Sequence, residues 1–188
     1  MIRLASSSVT RAELLKNAGI DFIQESVDFD EESVVATSPK NFVYLATIGK
    51  FEANIKAFGY DEYPLLVADT VVTADGKILR KAKSAGEARD ILLSQSGSVV
   101  SIITCMIFQS KKMKIIDISK TDYIFREFDL DDIENYLASG DWRGKAGACM
   151  VEGFCKRYIK EVKGFESTAM GLNTDLLKTY LLNKENNW

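Results

Sequence analysis

The charged side chains of this chain form two sets that together could hold and cleave a polyphosphate. Carboxylates are dense between positions 28 and 32, and Asp69 follows an apolar run. Cationic side chains occur at Arg11, Lys50, Lys81 and Lys83. Carboxylates can hold a hard divalent metal or activate a water molecule, whereas cations neutralise charge that develops on phosphate oxygens. Each lysine alone is more often a surface residue, so only the combination is informative.

The segment LASSSVTRAELL is a candidate phosphate-binding turn. Ser6 and Ser8 lie between a predicted strand and a predicted helix whose first turn carries Arg11. The N–H groups of a helix N-terminus, together with hydroxyl and guanidinium donors, favour an anion. The same residue types are also preferred as ordinary helix caps, which leaves a plain cap with a solvated arginine as the alternative.

The carboxylates allow two interpretations as well. Asp28, Asp30, Glu31 and Glu32 lie in a predicted loop, where such acidic runs are usually solvated. Asp69 directly follows a buried apolar strand, and ligands of α/β proteins gather outside the carboxyl ends of strands. A carboxylate there could hold Mg²⁺ or orient water, although aspartate at a strand end also commonly forms a turn.

The chain contains no histidine. A Ser-His-Asp or Cys-His catalytic unit, an HExxH metal site and a histidine-based deaminase site are therefore excluded. Proton transfer must fall to Asp, Glu, Lys, Tyr or Cys, and any metal must be held mainly by oxygen. A glycosidase with a carboxylate pair is compatible with this composition, but the lysines and the arginine favour phosphate.

Composition indicates a globular protein, with 46% hydrophobic and 27% charged residues in a chain of 188. The net charge of -3 argues against stable nucleic-acid binding, which needs a basic surface. The sequence contains no run of roughly 20 apolar residues, the length that a membrane span requires. We therefore expect a cytoplasmic protein with no membrane partner. The three cysteines form no CxxC pair and are expected to be free thiols: Cys105, Cys149 and Cys155.

The elements that must position these residues follow from capping signals and hydrophobic patterns. Predicted helices begin at a Thr10–Glu13 capping box, at Ser38 with Pro39, at a Ser84–Glu87 capping box and at Asp129, and a last helix contains Leu172 to Leu181. Predicted strands are 2–5, 65–68, 99–108, 114–125 and 157–162, with a hairpin turn at Asp75-Gly76. Residues 140–153 contain four glycines and are predicted to form a loop that lets backbone approach a ligand. The order of elements predicts a mixed α/β fold.

Four segments occur in a characteristic order: LASSSVTRAELL, VADTVV, RKAKSAGEARDILLSQSG and GKAGACMVEG. Together they resemble the Maf family of nucleotide pyrophosphatases, and the resemblance extends from Leu4 to about Leu182. It implies one domain over residues 1–188, with a mixed, elongated sheet in two lobes around a deep cleft, similar to inosine triphosphate pyrophosphatases.

The same resemblance implies hydrolysis of a nucleoside triphosphate to the monophosphate and pyrophosphate with a divalent metal, Mg²⁺ or Mn²⁺. Asp69 matches the position of the base that activates water, and Glu31 is expected to hold the metal together with Asp69. Ser8, Arg11, Lys50 and Lys81 match phosphate-binding positions, and Ser6 joins them as a further donor in the same turn. Of these, Lys81 lies in Arg80-Lys81-Ala82, where members of the family usually have GKP.

Three positions matter for the choice of base: Thr10, Thr70 and Glu152. Thr10 replaces an arginine of the usual SPRR motif. Glu152 replaces the glutamine of the AGxxxxQG pattern. An ionised glutamate only accepts hydrogen bonds, which suits the donor edge of guanine and resembles the branch that acts on 7-methyl-GTP. Thr70, in Ala68-Asp69-Thr70, resembles the branch that acts on dTTP and UTP, so the base stays open.

A second class of function also stays open. Members of this family have been linked to arrest of cell division, a role that nucleotide binding without turnover could serve. The sequence does not decide between removal of modified nucleotides and restraint of division. It also leaves open whether the protein is a homodimer.

Overall fold

The computed structural model describes residues 1–181, so Leu182 lies outside the described residues. Within them are six α-helices: α1 (Val9–Asn17), α2 (Pro39–Phe58), α3 (Ala85–Gln95), α4 (Leu130–Ser139), α5 (Glu166–Ala169) and α6 (Thr174–Leu181). Seven strands accompany them: β1 (Ile2–Leu4), β2 (Phe22–Gln24), β3 (Leu65–Ala74), β4 (Lys77–Ile78), β5 (Val99–Gln109), β6 (Lys114–Phe125) and β7 (Ile159–Lys163). No helix among residues 1–181 is long and apolar enough to cross a membrane.

The strands form one sheet in the order β2-β1-β3-β5-β6-β7, with β4 paired to β3. Strand β1 is parallel to β2 and to β3, whereas β4 is antiparallel to β3 and β7 is antiparallel to β6. The sheet is therefore mixed, and the predicted mixed α/β class is confirmed.

The chain divides into two compact units. The first contains residues 1–70, 103–120 and 165–181 of the described chain, and the second contains residues 71–102 and 121–164. The single-domain organisation and the cleft implied by the resemblance stay predictions.

In the first unit, the first half of β3 is buried on both faces, as expected for a strand with parallel pairing. Leu66 and Ala68 pack in one core cluster, which includes residues of α1 and α6, whereas Leu65 and Val67 pack in another, which includes residues of α2. Since successive side chains of a strand point to opposite faces, Asp69 continues the α2 face. Thr70 continues the face of α1 and α6.

The second unit contains a cluster of aromatic rings in which Phe128 contacts Phe125, Phe154 and Tyr158. A covalent cross-link lies in the same unit, because the sulfur atoms of Cys149 and Cys155 form a disulfide. The prediction of free thiols is therefore wrong for these two residues. A spacing without CxxC did not reveal that the loop folds back on itself over six positions.

Most predicted boundaries of helices are confirmed, including the Ser38 cap of α2 and the Asp129 cap of α4. The start of α1 was placed too late. Ser8, not Thr10, is the cap residue, since its hydroxyl accepts a hydrogen bond from the backbone N–H of Arg11. The predicted Thr10–Glu13 capping box lies inside the helix.

Two predicted strands also differ from the structure. Strand β3 does not stop at Asp69 but continues to Ala74, so Asp69 lies within a strand rather than at its end. Strand β7 begins at Ile159, because residues 154–158 form a 3₁₀-helix.

Candidate active site

Asp69 is the buried centre of a group of charged side chains in the first unit, with 5% of its surface exposed. Its Oδ1 lies 2.5 Å from Nζ of Lys50, which comes from the middle of α2. The same Nζ contacts Oε1 of Glu31. Oδ2 of Asp69 is buried and has no hydrogen-bond partner among the described residues. Because a buried carboxylate oxygen without a partner is costly, this atom is the one that a ligand would satisfy.

The electrostatics of Asp69 reflect its burial. Desolvation raises the pKa of its carboxyl above the ordinary value, and the negative charge of Glu31 acts in the same direction. The charge of Lys50 and its hydrogen bond oppose this shift, as Arg11 does less strongly. The result is a carboxylate with a stronger affinity for a proton than an exposed aspartate has.

Glu31 reaches Lys50 from a short 3₁₀-helix, Glu31–Ser33, for which Asp30 is the cap. The loop before it is anchored on α2, because the ring of Phe29 lies against the backbone of Gly49. Gly49 directly precedes Lys50. We call residues 28–32 the acidic loop. The contact between Phe29 and Gly49 brings this loop to Lys50, which Asp69 also contacts.

Arg11 lies on the other side of β3, where three different segments hold its guanidinium. Nε donates to the carbonyl of Gly171 at 2.8 Å, Nη1 donates to the hydroxyl of Ser6 at 3.0 Å, and Nη2 donates to the hydroxyl of Thr70 at 3.1 Å. A guanidinium carries five N–H groups, so two remain, one on each terminal nitrogen. Burial lowers the pKa of Arg11 from its ordinary value, and the charges of Asp69 and Glu31 raise it.

In the turn before α1, hydrogen bonds from backbone N–H groups also hold the hydroxyls of Ser6 and Ser8 in place. The hydroxyl of Ser6 accepts from the backbone N–H of Ser8 at 3.2 Å, and the hydroxyl of Ser8 accepts from the backbone N–H of Arg11 at 3.3 Å. Both hydroxyls act as acceptors in these contacts, so each keeps its own proton for donation. The capping role and the phosphate-binding role are thus compatible.

These residues line one cavity of about 360 Å³, and the lining belongs entirely to the first unit. The lining combines hydroxyls, cations and carboxylates: Ser6, Ser8, Arg11, Glu31, Lys50, Asp69 and Thr70. The structure therefore brings together seven of the predicted site residues. Asp28 also lines this cavity.

Three other predicted site residues do not line this cavity. Lys81 and Glu152 belong to the second unit, where both are exposed and Lys81 forms an isolated β-bridge with Ala146. Thr10 is half-buried in the first turn of α1. Thr70, by contrast, lines the cavity, and its hydroxyl is hydrogen-bonded to Arg11 and to Thr104.

Sequence reasoning missed Gly171 and Thr104, which support Arg11 directly or through Thr70. Gly171 has a φ of +103°, in the left-handed region that favours glycine. No local motif marks either residue, because both act through contacts between distant segments. Among residues 1–181 there is no cluster of three or more Asp, Glu, Cys or His side chains that could hold a metal without help from a substrate.

The family model described as Maf-like protein matches residues 1–184, nearly the whole chain. The chain belongs to the Maf family.

Several curated relatives of this chain share the name nucleoside triphosphate pyrophosphatase. The one from a Nitratiruptor species is 58% identical over 179 residues, which covers 94% of this chain and 96% of the relative. The one from Helicobacter pylori (strain J99) is 40% identical, over 92% of this chain and 90% of the relative. The one from Campylobacter jejuni (strain RM1221) is 39% identical, over 96% of this chain and 100% of the relative.

Proposed function

We propose that this chain hydrolyses a nucleoside triphosphate to the monophosphate and pyrophosphate. The shared name of its relatives supports the reaction class. The observation in the structure that carries the proposal is Asp69, a buried carboxylate with one oxygen held by Lys50 and the other without a partner among the described residues. It lines the same cavity as donors suited to phosphate.

The phosphate chain would be bound by Arg11, Ser6 and Ser8. Arg11 retains an N–H on each terminal nitrogen, which suits two oxygens of one phosphate group. Both serine hydroxyls can still donate a proton into the cavity. Lys50 supplies a further positive charge, although Asp69 and Glu31 partly neutralise it.

A divalent metal fits this donor set. Mg²⁺ in proteins is commonly held by one or two carboxylates together with substrate phosphates. Glu31 and Asp69 would be these two carboxylates, since both line the cavity and both contact Lys50. Maf-family pyrophosphatases in general depend on a metal. When bound, the metal would neutralise charge on the phosphate oxygens. Lys50 would keep both carboxylates oriented before substrate enters.

Asp69 would act as the base. Its raised pKa makes it a better proton acceptor than an exposed aspartate, and Oδ2 is the oxygen available for the proton of water. Attack of that water on the α-phosphorus forms a new P–O bond and breaks the bond to the bridging oxygen. Pyrophosphate leaves with the electron pair, and Arg11 and Lys50 stabilise its charge.

Product analysis tests this proposal. Purified protein is incubated with a panel of triphosphates and Mg²⁺ or Mn²⁺, and both pyrophosphate and orthophosphate are measured. We expect pyrophosphate with at least one substrate, none in excess EDTA, and a nearly complete loss with Asp69→Asn. Release of orthophosphate alone would contradict the reaction. Nucleotide binding without any product would favour the alternative, a nucleotide-binding regulator.

The preferred base is a separate question for the same assay. We propose Thr10, Thr70 and Glu152 as positions that tune it, and Lys81 as a further phosphate-binding residue. Glu152→Gln should shift preference from 7-methyl-GTP toward dTTP or UTP, because glutamine both donates and accepts hydrogen bonds. An unchanged profile across dTTP, UTP, CTP and 7-methyl-GTP would remove Glu152 from this account. A cytoplasmic location and a homodimer remain hypotheses that fractionation and light scattering can test.

A further inference from the structure

Three threonines form a series of hydrogen bonds that runs from the guanidinium of Arg11 to the backbone of α5. Nη2 of Arg11 lies 3.1 Å from Oγ1 of Thr70, which lies 2.9 Å from Oγ1 of Thr104. Oγ1 of Thr104 lies 2.7 Å from the backbone carbonyl of Thr168. The side chain of Thr104 is buried, with 1% of the residue exposed, and it does not line the cavity.

The carbonyl of Thr168, at the end of this series of hydrogen bonds, fixes the direction of every hydrogen bond in the series. A carbonyl oxygen can only accept, so Thr104 donates its one hydroxyl proton to Thr168. Thr104 must then accept from Thr70, which uses the hydroxyl proton of Thr70. The lone pairs of Thr70 remain for Arg11, whose guanidinium can only donate.

The consequence concerns the orientation of Arg11. If Thr104 offered no acceptor, the hydroxyl of Thr70 could turn its proton elsewhere and would no longer present its lone pairs to Nη2 in one fixed direction. Gly171 and Ser6 hold the other two nitrogens of the guanidinium, so the chain of threonines is its third point of support. A guanidinium fixed at three points keeps its remaining N–H groups in one plane for a phosphate.

We infer that Thr104 is a positioning residue for substrate binding, which acts through Thr70 on Arg11. The inference rests on the proposed function in one respect, namely that Arg11 binds phosphate. Thr104 itself contacts neither substrate nor metal in this account.

The test compares Thr104→Val, which keeps the shape but removes the hydroxyl, with Thr104→Ser, which keeps the hydroxyl. Thr104→Val should lower kcat/KM for the best triphosphate by about tenfold, the effect expected for the loss of one buried hydrogen bond. Thr104→Ser should stay within about threefold of the wild type, since its hydroxyl can still accept and donate.

Thr47→Val is the matched control for buried packing. Thr47 is as buried as Thr104, and its hydroxyl donates to the carbonyl of Val43 within α2, with a longer contact of 3.5 Å to the carbonyl of Cys105. Neither contact involves Arg11. The melting temperatures of all variants report any general loss of stability. We expect Thr47→Val to lower the melting temperature about as much as Thr104→Val while leaving kcat/KM nearly unchanged.

A double-mutant cycle with Arg11→Ala distinguishes positioning from general structure. In the Arg11→Ala background, Thr104→Val should change kcat/KM by less than about twofold, because the group on which it acts is absent. The inference is overturned if the valine variant loses the same factor in both backgrounds, or if the serine variant behaves like the valine variant.

The same proteins are also titrated with a non-hydrolysable α,β-methylene triphosphate, so that affinity gives a second readout. If the wild type binds this analogue but releases no pyrophosphate from any triphosphate, the proposed reaction fails while the affinities still decide the role of Thr104. If the wild type does not bind the analogue, both the proposed function and this inference are overturned.

Discussion

The ring of Phe29 occupies the space that a side chain at Gly49 would need. This contact joins the acidic loop to α2 one residue before Lys50. Gly49→Ala should therefore displace Phe29 and with it the Glu31 carboxylate, lowering kcat/KM by about tenfold or more, as expected when a catalytic group is misplaced. Steady-state pyrophosphate release measures this effect.

Gly86→Ala is the matched control for that substitution. Gly86 lies in α3 of the second unit, and a Cβ there would have only the hydroxyl of Ser84 nearby, at 3.9 Å. Because Gly86 is only the second residue of this helix, the control should change the free energy of unfolding by less than about 1 kcal/mol and leave kcat/KM unchanged. Phe29→Ala added to Gly49→Ala should relieve the overlap without restoring activity. Full activity of Gly49→Ala would refute the anchoring role of Phe29.

The pKa of Asp69 gives a prediction for stability as well as for rate. Because burial raises this pKa above the ordinary value of 3.8, the folded protein binds more protons than the unfolded chain between the two pKa values. Asp69 therefore lowers the free energy of unfolding as pH rises through that window. In EDTA, Asp69→Asn should be more stable than the wild type at neutral pH, and the difference should shrink on acidification toward the unfolded pKa.

Urea unfolding at a series of pH values measures this difference. Glu31→Gln is a useful comparison, because Glu31 is half-exposed and also contacts Lys50 but is not buried. A pH-independent loss of stability in Asp69→Asn would contradict the raised pKa.

The disulfide between Cys149 and Cys155 gives a third prediction. Closing a loop of about seven residues stabilises the folded state by about 2 kcal/mol in the chain-entropy model. A reductant should therefore lower the melting temperature of the wild type but not that of Cys149→Ser. In denaturant without reductant, thiol titration should find one thiol per chain, that of Cys105, and three after reduction. Three thiols before reduction would contradict the bridge.

Gly171 gives a fourth prediction. A Cβ at this position would lie 3.3 Å from Oγ1 of Thr70 and 3.4 Å from Nε of Arg11, and the φ of +103° is unfavourable for alanine. Gly171→Ala should therefore lower both stability and affinity for a triphosphate analogue. Gly19→Ala is the control, because Gly19 has a φ of +71° with no atom within 4 Å of a Cβ, so only stability should fall. Equal affinity in the two variants would show that Gly171 does not support Arg11.

Local patterns predicted the elements well where capping residues and alternation act over a few positions, as at Ser38 and in β5 and β6. They misjudged Asp69, because a charged residue after an apolar run suggests the end of a strand, whereas Lys50 offsets the cost of keeping this carboxylate buried within β3.

The site itself was only partly predictable. The chemical types of Arg11, Lys50 and Asp69 indicated phosphate chemistry, and the structure places them around one cavity. The contacts that orient them could not be read from the sequence, since Phe29 with Gly49 and Arg11 with Gly171 join residues far apart in the chain.

The hydrogen bond from Arg11 to Gly171 spans 160 positions, so its two ends leave the ribosome at very different times. During synthesis, Arg11 emerges early, and its hydrogen bond to Gly171 cannot form until Gly171 has also emerged. We therefore expect a nascent chain to remain unable to hold a nucleotide until Gly171 has left the ribosome.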